Sequence, residues 1–210
     1  MQPTPSPSDF WDQRYTESGW AYGTTPNDFL ETEAGRIPQG AVLSLAEGEG
    51  RNAVFLASRG HRVEAVDQSS AGLAKTRLLA AEHGVAVRTT QADLASFDLG
   101  QGCWQGIVSI FVHLPSPLRR RVHAAVVAAL APGGVLVFEA YAPAQLTLGT
   151  GGPRELALLG SLAELTGEFT GLELLVAREM QREVQEGKYH RGTSAVVQIV
   201  ARKPALAPKG

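Results

Sequence analysis

The chain predicts an α/β domain: a doubly wound, mostly parallel seven-stranded sheet with helices on both faces and an antiparallel last strand. Three observations carry this. Short apolar runs alternate with helical segments five times, the pattern of a parallel sheet covered on both sides. The first run breaks into a glycine-rich turn, LAEGEG over 45–50. The last two strand-like runs are joined by a connection shorter than the dozen or so residues a parallel crossover needs, so they form a hairpin.

Val42, Leu43, Leu45 and Ala46 form the first strand, and Gly48 and Gly50 let the backbone turn sharply where no Cβ stands in the way of a ligand. Asn52 to Arg59 then reads as a helix with Val54, Phe55 and Leu56 inward and Gly60 as a left-handed stop. Val63, Ala65 and Val66 restart extended structure that ends on Asp67. Ser69 or Ser70 caps a helix through Glu82, stopped by Gly84, and Val85 to Thr89 form the next strand before Ala92, Asp93 and Leu94. Ile107 to Val112 read as a buried strand, Pro117 to Leu130 as a helix, and Pro132, Gly133 and Gly134 as a turn into a strand over Val135 to Tyr141. Gly149 to Pro153 make a flexible loop before a helix near Glu155 to Leu165. The hairpin pairs Leu172 to Val184 with Thr193 to Ala201 around a turn at Glu186 to Gly192.

Ahead of the first strand, residues 1–9 read as a disordered proline-rich tail and residues 10–34 as an N-terminal lid. That segment carries a short helix from Phe10 to Glu17, with Trp11, Arg14 and Tyr15, and a glycine-punctuated stretch from Ser18 to Pro26 with Trp20 and Tyr22. These aromatics either cover a site or pack the N-terminus onto the core, and both readings stand. Residues 10–203 form one domain, and 204–210 a second tail.

Composition narrows the function. A hydrophobic fraction of 44% with 19% charged residues is that of a globular domain with a full core. The net charge of −2 and pI near 6.2 leave no electrostatic footprint for nucleic acid or an acidic membrane. The one basic run, Arg119 to Arg121, follows Ser116 and Pro117 at a helix start and reads as a solvated helix face. Cys103 is alone, which excludes an intramolecular disulfide and a cysteine metal cluster and agrees with a reducing compartment. It reads as a small apolar filler. No metal is expected. No basic start or long apolar run suggests export or a membrane span, so the expected address is cytosolic.

Gly48, Gly50 and Ala53 satisfy G-x-G-x-x-G/A, with Asp67 placed to take the two hydroxyls of a ribose. By itself this reads as an adenosine binder, and a nicotinamide-dependent oxidoreductase shares it. Ligands of open parallel sheets sit at the carboxyl ends of the strands, which marks His113, Glu139 and Tyr141 as substrate-side and catalytic candidates. Glu139 and Tyr141 alternate onto one face, so both are expected to face the acceptor. His190 on the hairpin reaches the same rim. His113 is either a proton acceptor near neutral pH or an imidazole hydrogen-bonded at a strand end.

Taken in order, the LSLAEGEGRNAVFLA loop, the AVD strand end, the ADL tripeptide, the APGG turn and the closing hairpin resemble the class I S-adenosylmethionine-dependent methyltransferases, whose fold is Rossmann-like. The similarity covers Phe10 to Lys203. Within that class the GEGRNAVFLA run and the short N-terminal helix are most similar to small bacterial enzymes of the tellurite-resistance and thiopurine type. The resemblance implies S-adenosyl-L-methionine as cofactor, with S-adenosyl-L-homocysteine as product. Gly48 and Gly50 would pass under its methionine portion and Asp67 would hold the ribose. Gln68 would lie beside the adenine, Asp93 would accept from its amino group and Leu94 would give apolar contact. Backbone near Ser109 and Ile110 would take the cofactor's amino group, and Arg14 and Tyr22 its carboxylate. Asn52 falls within the same motif. Ser44 stands where the family usually has an acid and Ala46 where it has the first glycine; Glu47 partly replaces the missing charge. This departure keeps a cofactor-binding, non-catalytic relative as an alternative. No Asn-Pro-Pro-Tyr or Asp-Pro-Pro-Tyr run follows the fourth strand, which points to a small-molecule acceptor: sulfur, selenium or tellurium, or the oxygen or nitrogen of a small metabolite.

Overall fold

A computed structural model describes residues 7–205, so most of both expected tails lies outside the described residues. Seven strands form one sheet in the order β3-β2-β1-β4-β5-β7-β6. They are β1 (Ala41–Leu45), β2 (Arg62–Asp67), β3 (Val87–Gln91), β4 (Trp104–Ile110), β5 (Leu130–Tyr141), β6 (Glu173–Glu186) and β7 (His190–Arg202). β1 to β5 pair in parallel, and β7 runs antiparallel between β5 and β6. The chain order reverses between β1 and β4, the switch point where open α/β sheets take their ligands.

The helices are α1 (Pro7–Thr16), α2 (Asp28–Glu33), α3 (Arg51–Ser58), α4 (Ser70–Glu82), α5 (Ser116–Ala129) and α6 (Leu162–Glu168). One apolar layer joins Leu30, Ala53, Leu56 and Leu73 to Val42, Val63 and Val137 under α2, α3 and α4. The other joins Val122, Val126, Leu165 and Phe169 to Leu43, Ile107, Leu136 and Ile199 under α5 and α6. The side chains of β1 thus bury on both faces, as a central parallel strand requires.

Several elements shift from their expected places. The first helix begins at Pro7, inside the expected tail. β4 starts at Trp104, whose indole donates to the Leu99 carbonyl at 2.7 Å. The expected helix near 155–165 is a 3-10 turn over Leu156–Leu158 followed by α6, because Ser161 and Glu164 form a capping box that starts the helix at Leu162. α2 escaped the sequence reading because six residues show too little periodicity; Asn27 caps it, accepting from the Leu30 N–H at 3.0 Å. Cys103 is exposed at a turn rather than filling the core.

The basic run also divides. Arg120 and Arg121 are exposed, but Arg119 is buried against the Glu168 carboxylate, 2.9 Å away, and donates to the Leu159 carbonyl. Only one face of α5 is solvated, and every third or fourth position points inward. Burial alone would raise the Glu168 carboxyl, but hydrogen bonds from His123 and Arg119 pull it down to about 2. A folded value below the ordinary 4.5 gives stability that is present above that pH and lost as pH falls towards 2. Urea unfolding across this window should therefore show a steeper acid loss in the wild type than in Glu168→Gln.

β6 and β7 outrun the rest of the sheet. β5 ends at Tyr141, opposite Val196, yet the hairpin ladder continues from Gln181–Ala195 to Glu186–His190. This overhang folds back onto the N-terminal segment, where the Lys188 N–H donates to the Ala21 carbonyl at 2.8 Å.

Candidate active site

A cavity of about 1240 Å³ opens over the carboxyl ends of the strands, between the N-terminal segment, the hairpin tip and the loop after β5. Its floor begins at the elbow between β1 and α3. Ala46, Gly48 and Gly50 all take left-handed conformations, with φ of 45°, 68° and 96°. A left-handed L-residue costs roughly 1–2 kcal/mol, partly offset by the roughly 0.4–1 kcal/mol a glycine adds to unfolded-chain entropy. Ala46→Gly should therefore raise unfolding stability by about 0.5–1 kcal/mol in denaturant titration.

The elbow is held by carboxylates. One oxygen of Glu47 accepts from the Asn52 and Ala53 N–H groups at 3.0 and 2.9 Å, which caps α3, and the other is hydrogen-bonded by the Ser44 hydroxyl. Ser44 and Glu47 are thus joined side by side at the elbow. Burial raises the Glu47 carboxyl, with the Ser44 and backbone hydrogen bonds opposing it. Asp67, at the end of β2, accepts from the Gly48 N–H at 2.8 Å and the Ser69 N–H at 2.7 Å. It is buried yet lines the cavity, and burial raises its carboxyl above the ordinary value against those two donors. Gln68, Asp93 and Leu94 line the same end; one Asp93 oxygen accepts from the Ala95 N–H, which fixes the turn after β3.

Gly48 and Gly50 do not line the cavity. A Cβ on Gly48 would lie 2.6 Å from the Tyr15 hydroxyl, and one on Gly50 would lie 2.7 Å from the Thr76 backbone. Their lack of side chains lets α1 and α4 close on the elbow. Ser109 likewise sits beneath the wall, and Ile110 beside it lines the cavity.

The two readings of the N-terminal aromatics merge, since this segment both packs and roofs the site. Glu49 accepts from the Ala21 N–H at 2.8 Å and pairs with Lys75 at 2.8 Å, while Lys75 also donates to the Gly19 carbonyl. Asp12 accepts from the Ser69 hydroxyl, tying α1 to the start of α4. Arg14 and Tyr22 both line the cavity. Arg14 donates to the Tyr22 hydroxyl at 3.2 Å and lies 3.8 Å over the Tyr189 ring of the hairpin tip.

The opposite end is aromatic. Phe111 lines it with a left-handed φ of 54°, a strained conformation for a bulky residue. Its ring stacks on Tyr141 at 4.5 Å and meets His190 edge-on at 5.0 Å. His113 stacks on the other part of Tyr141 at 5.7 Å. Burial, and secondarily His190, push His113 down to about 3 although its surface is partly open to the cavity; burial also lowers His190. Both imidazoles are neutral at pH 7, and burial leaves His113 a weak base there. A pH profile of turnover between 5 and 8 should carry no limb that His113→Asn removes.

Glu139 and Tyr141 do not face an acceptor as their alternation suggested. Glu139 has no exposed surface: Arg182 pairs with it at 2.8 Å, and Asn27 and Gln198 each donate to it at 2.6 Å. The overhanging hairpin and α2 cover that strand end. Tyr141 is also fully buried and forms the floor under the Phe111 and His113 rings; among the described residues its hydroxyl has no hydrogen-bond partner of normal geometry, with Ser194 nearby. His190 does reach the rim as expected.

Arg51 was missed. Its Nη2 donates to Glu186 at 2.6 Å, while Nη1 is buried without a partner among the described residues, in a side chain that lines the cavity. The signal was its place directly after the glycines, in GEGRNA. Lys75 and Glu186 gave no sequence signal, because their roles come from contacts between distant segments.

Residues 42–134 match a family described as a methyltransferase domain. A 2-heptyl-1-hydroxyquinolin-4(1H)-one methyltransferase of Mycobacteroides abscessus is 32% identical over 127 residues; the match covers 57% of this chain and 56% of that protein, about half its length. Among solved structures, one described by the conversion of a disulfide bond into a thioacetal group during echinomycin biosynthesis superposes with a TM-score of 0.75 at 18% identity. It covers 96% of this chain and 93% of its own. TehB from Haemophilus influenzae gives 0.69 at 19% identity, covering 93% and 66%. The match over residues 42–134 and the strand order with its antiparallel end give the chain the Rossmann-like methyltransferase fold.

Proposed function

We propose that the protein transfers a methyl group from S-adenosylmethionine to a small-molecule acceptor held at the aromatic end of the cavity. The observation that carries this reading is the buried Asp67 carboxylate, fixed by two backbone donors beside the elbow and still facing a cavity large enough for two ligands. The donor set fits an adenosyl amino acid. Asp67 would take the ribose hydroxyls, Asp93 the adenine amino group, and Gln68 and Leu94 the ring; Glu47, with Ser44, would face the ammonium beside the backbone of Ile110. Arg14, Tyr22 and the unpartnered Nη1 of Arg51 form a positive corner for the carboxylate.

When bound, S-adenosylmethionine supplies a methyl on a sulfonium, which an acceptor takes by in-line displacement. The chain's part is to position and to exclude water, which is worth up to about 7–11 kcal/mol in well-aligned systems. α1, Tyr22 and the hairpin tip close the roof, and Phe111 and the neutral His113 and His190 wall the acceptor without adding charge beside a cation. No general base is needed for an acceptor that arrives with a free lone pair. The acceptor presents sulfur, selenium or tellurium, or oxygen or nitrogen; the hydroxyquinolone named for the M. abscessus relative belongs to the last group. The lone cysteine supports action in the cytosol.

A cofactor-binding protein without turnover is the second reading, motivated by Ser44 and Ala46. The placement of Glu47 argues against it, since the elbow keeps its carboxylate. Calorimetry with S-adenosylhomocysteine, combined with transfer of labelled methyl to a panel of thiols, chalcogen oxyanions and phenols, separates the readings. Binding with transfer is expected; binding without any transfer would favour the sensor, and binding of NADH alone would favour an oxidoreductase.

A further inference from the structure

Six large apolar side chains are exposed among the described residues, and two of them, Phe10 and Leu146, line the cavity and so stand at its mouth. Phe10 (49% exposed) comes from α1 and Leu146 (43%) from the loop after β5, where Pro153 and Leu158 also line the cavity. Exposed apolar residues scattered singly need no explanation, but a patch at a pocket's rim marks what the pocket receives.

The patch continues inward. Leu146, Pro153 and Leu158 lead to Phe111, and beyond it stand the rings of His113 and His190, both neutral at pH 7. The loop after β5 is pressed onto this wall by its glycines: a Cβ on Gly152, which has φ of 80°, would fall 2.6 Å from the Tyr141 ring. Ligand pockets run to about 300–1,000 Å³, and this cavity exceeds that range, so room remains beside an adenosyl amino acid.

Resting on the methyl-transfer reading above, we propose that the acceptor is an amphiphile. Its planar aromatic head sits against Phe111 and the neighbouring imidazoles, and its apolar tail runs out between Phe10, Leu146 and Leu158. Left exposed, such a tail would stay in water; along this wall each methylene is removed from it, at about 0.8 kcal/mol per CH₂ when fully buried, a factor of roughly four in affinity.

The test is calorimetric titration of phenol, 4-ethylphenol, 4-butylphenol and 4-hexylphenol into protein saturated with S-adenosylhomocysteine. Wild type should bind each longer phenol more tightly, by roughly two- to fourfold per methylene. The double variant Leu146→Asp/Leu158→Asp should keep its affinity for S-adenosylhomocysteine and lose at least half of that dependence on chain length. Equal affinity across the series in wild type, or a dependence that survives unchanged in the double variant, overturns the proposal. Failure of S-adenosylhomocysteine to bind wild type would overturn the methyl-transfer reading beneath it instead.

Discussion

Glu139→Ala should cost the folded state about 3–5 kcal/mol, the usual result of removing one partner from a buried charge pair. The carboxylate anchors Arg182, Asn27 and Gln198, which belong to β6, the cap of α2 and β7. Its loss leaves a guanidinium whose side chain is only 11% exposed with just the longer contacts to Asp28 and Glu186, and takes one acceptor from each of two amides. Against a total stability of about 5–15 kcal/mol, this leaves a marginal protein. Glu139→Gln keeps the shape and hydrogen-bonding capacity but not the charge, and should cost less. Denaturant titration of both variants checks this. A Glu139→Ala protein as stable as wild type but inactive would return Glu139 to the acceptor side, where the sequence alone placed it.

The second large effect belongs to Asp67. Asp67→Ala should weaken S-adenosylhomocysteine binding by about 1.5–3 kcal/mol, the range for a hydrogen bond involving a charged group and roughly 10- to 150-fold in dissociation constant. It should also loosen the elbow, because the Gly48 and Ser69 N–H groups lose their acceptor. Calorimetry together with thermal unfolding separates the two consequences. An unchanged dissociation constant would remove Asp67 from the site.

Where the sequence spoke locally, its reading held. The β1 to α3 elbow, the capped start of α4 at Ser69 and the closing hairpin are written in contiguous residues whose periodicity and turn chemistry decide their structure. Asp67 was placed by its strand end, His190 by the hairpin and Asp93 by the family resemblance, and all three line the cavity. Glu139 was misread because alternation gives the face of a strand but not what later segments lay over it. The cover comes from Asn27, Arg182 and Gln198, far apart in the chain. Arg119 and Cys103 failed for the converse reason: a residue type predicts average exposure, while contacts of α5 with α6 and the turn before β4 decide the actual one. The clasp of Glu49, Lys75 and Lys188 on the N-terminal segment joins three stretches that no local pattern connects.

The central claim is that the elbow and its two aspartates receive an adenosyl group while the aromatic end stays free for an acceptor. A crystal structure with S-adenosylhomocysteine tests it most directly. The ribose hydroxyls should lie on Asp67 and the adenine amino group near Asp93, with the sulfur turned towards Phe111 and His113. Electron density for the compound elsewhere, with Asp67 and Asp93 facing only solvent, would contradict the account.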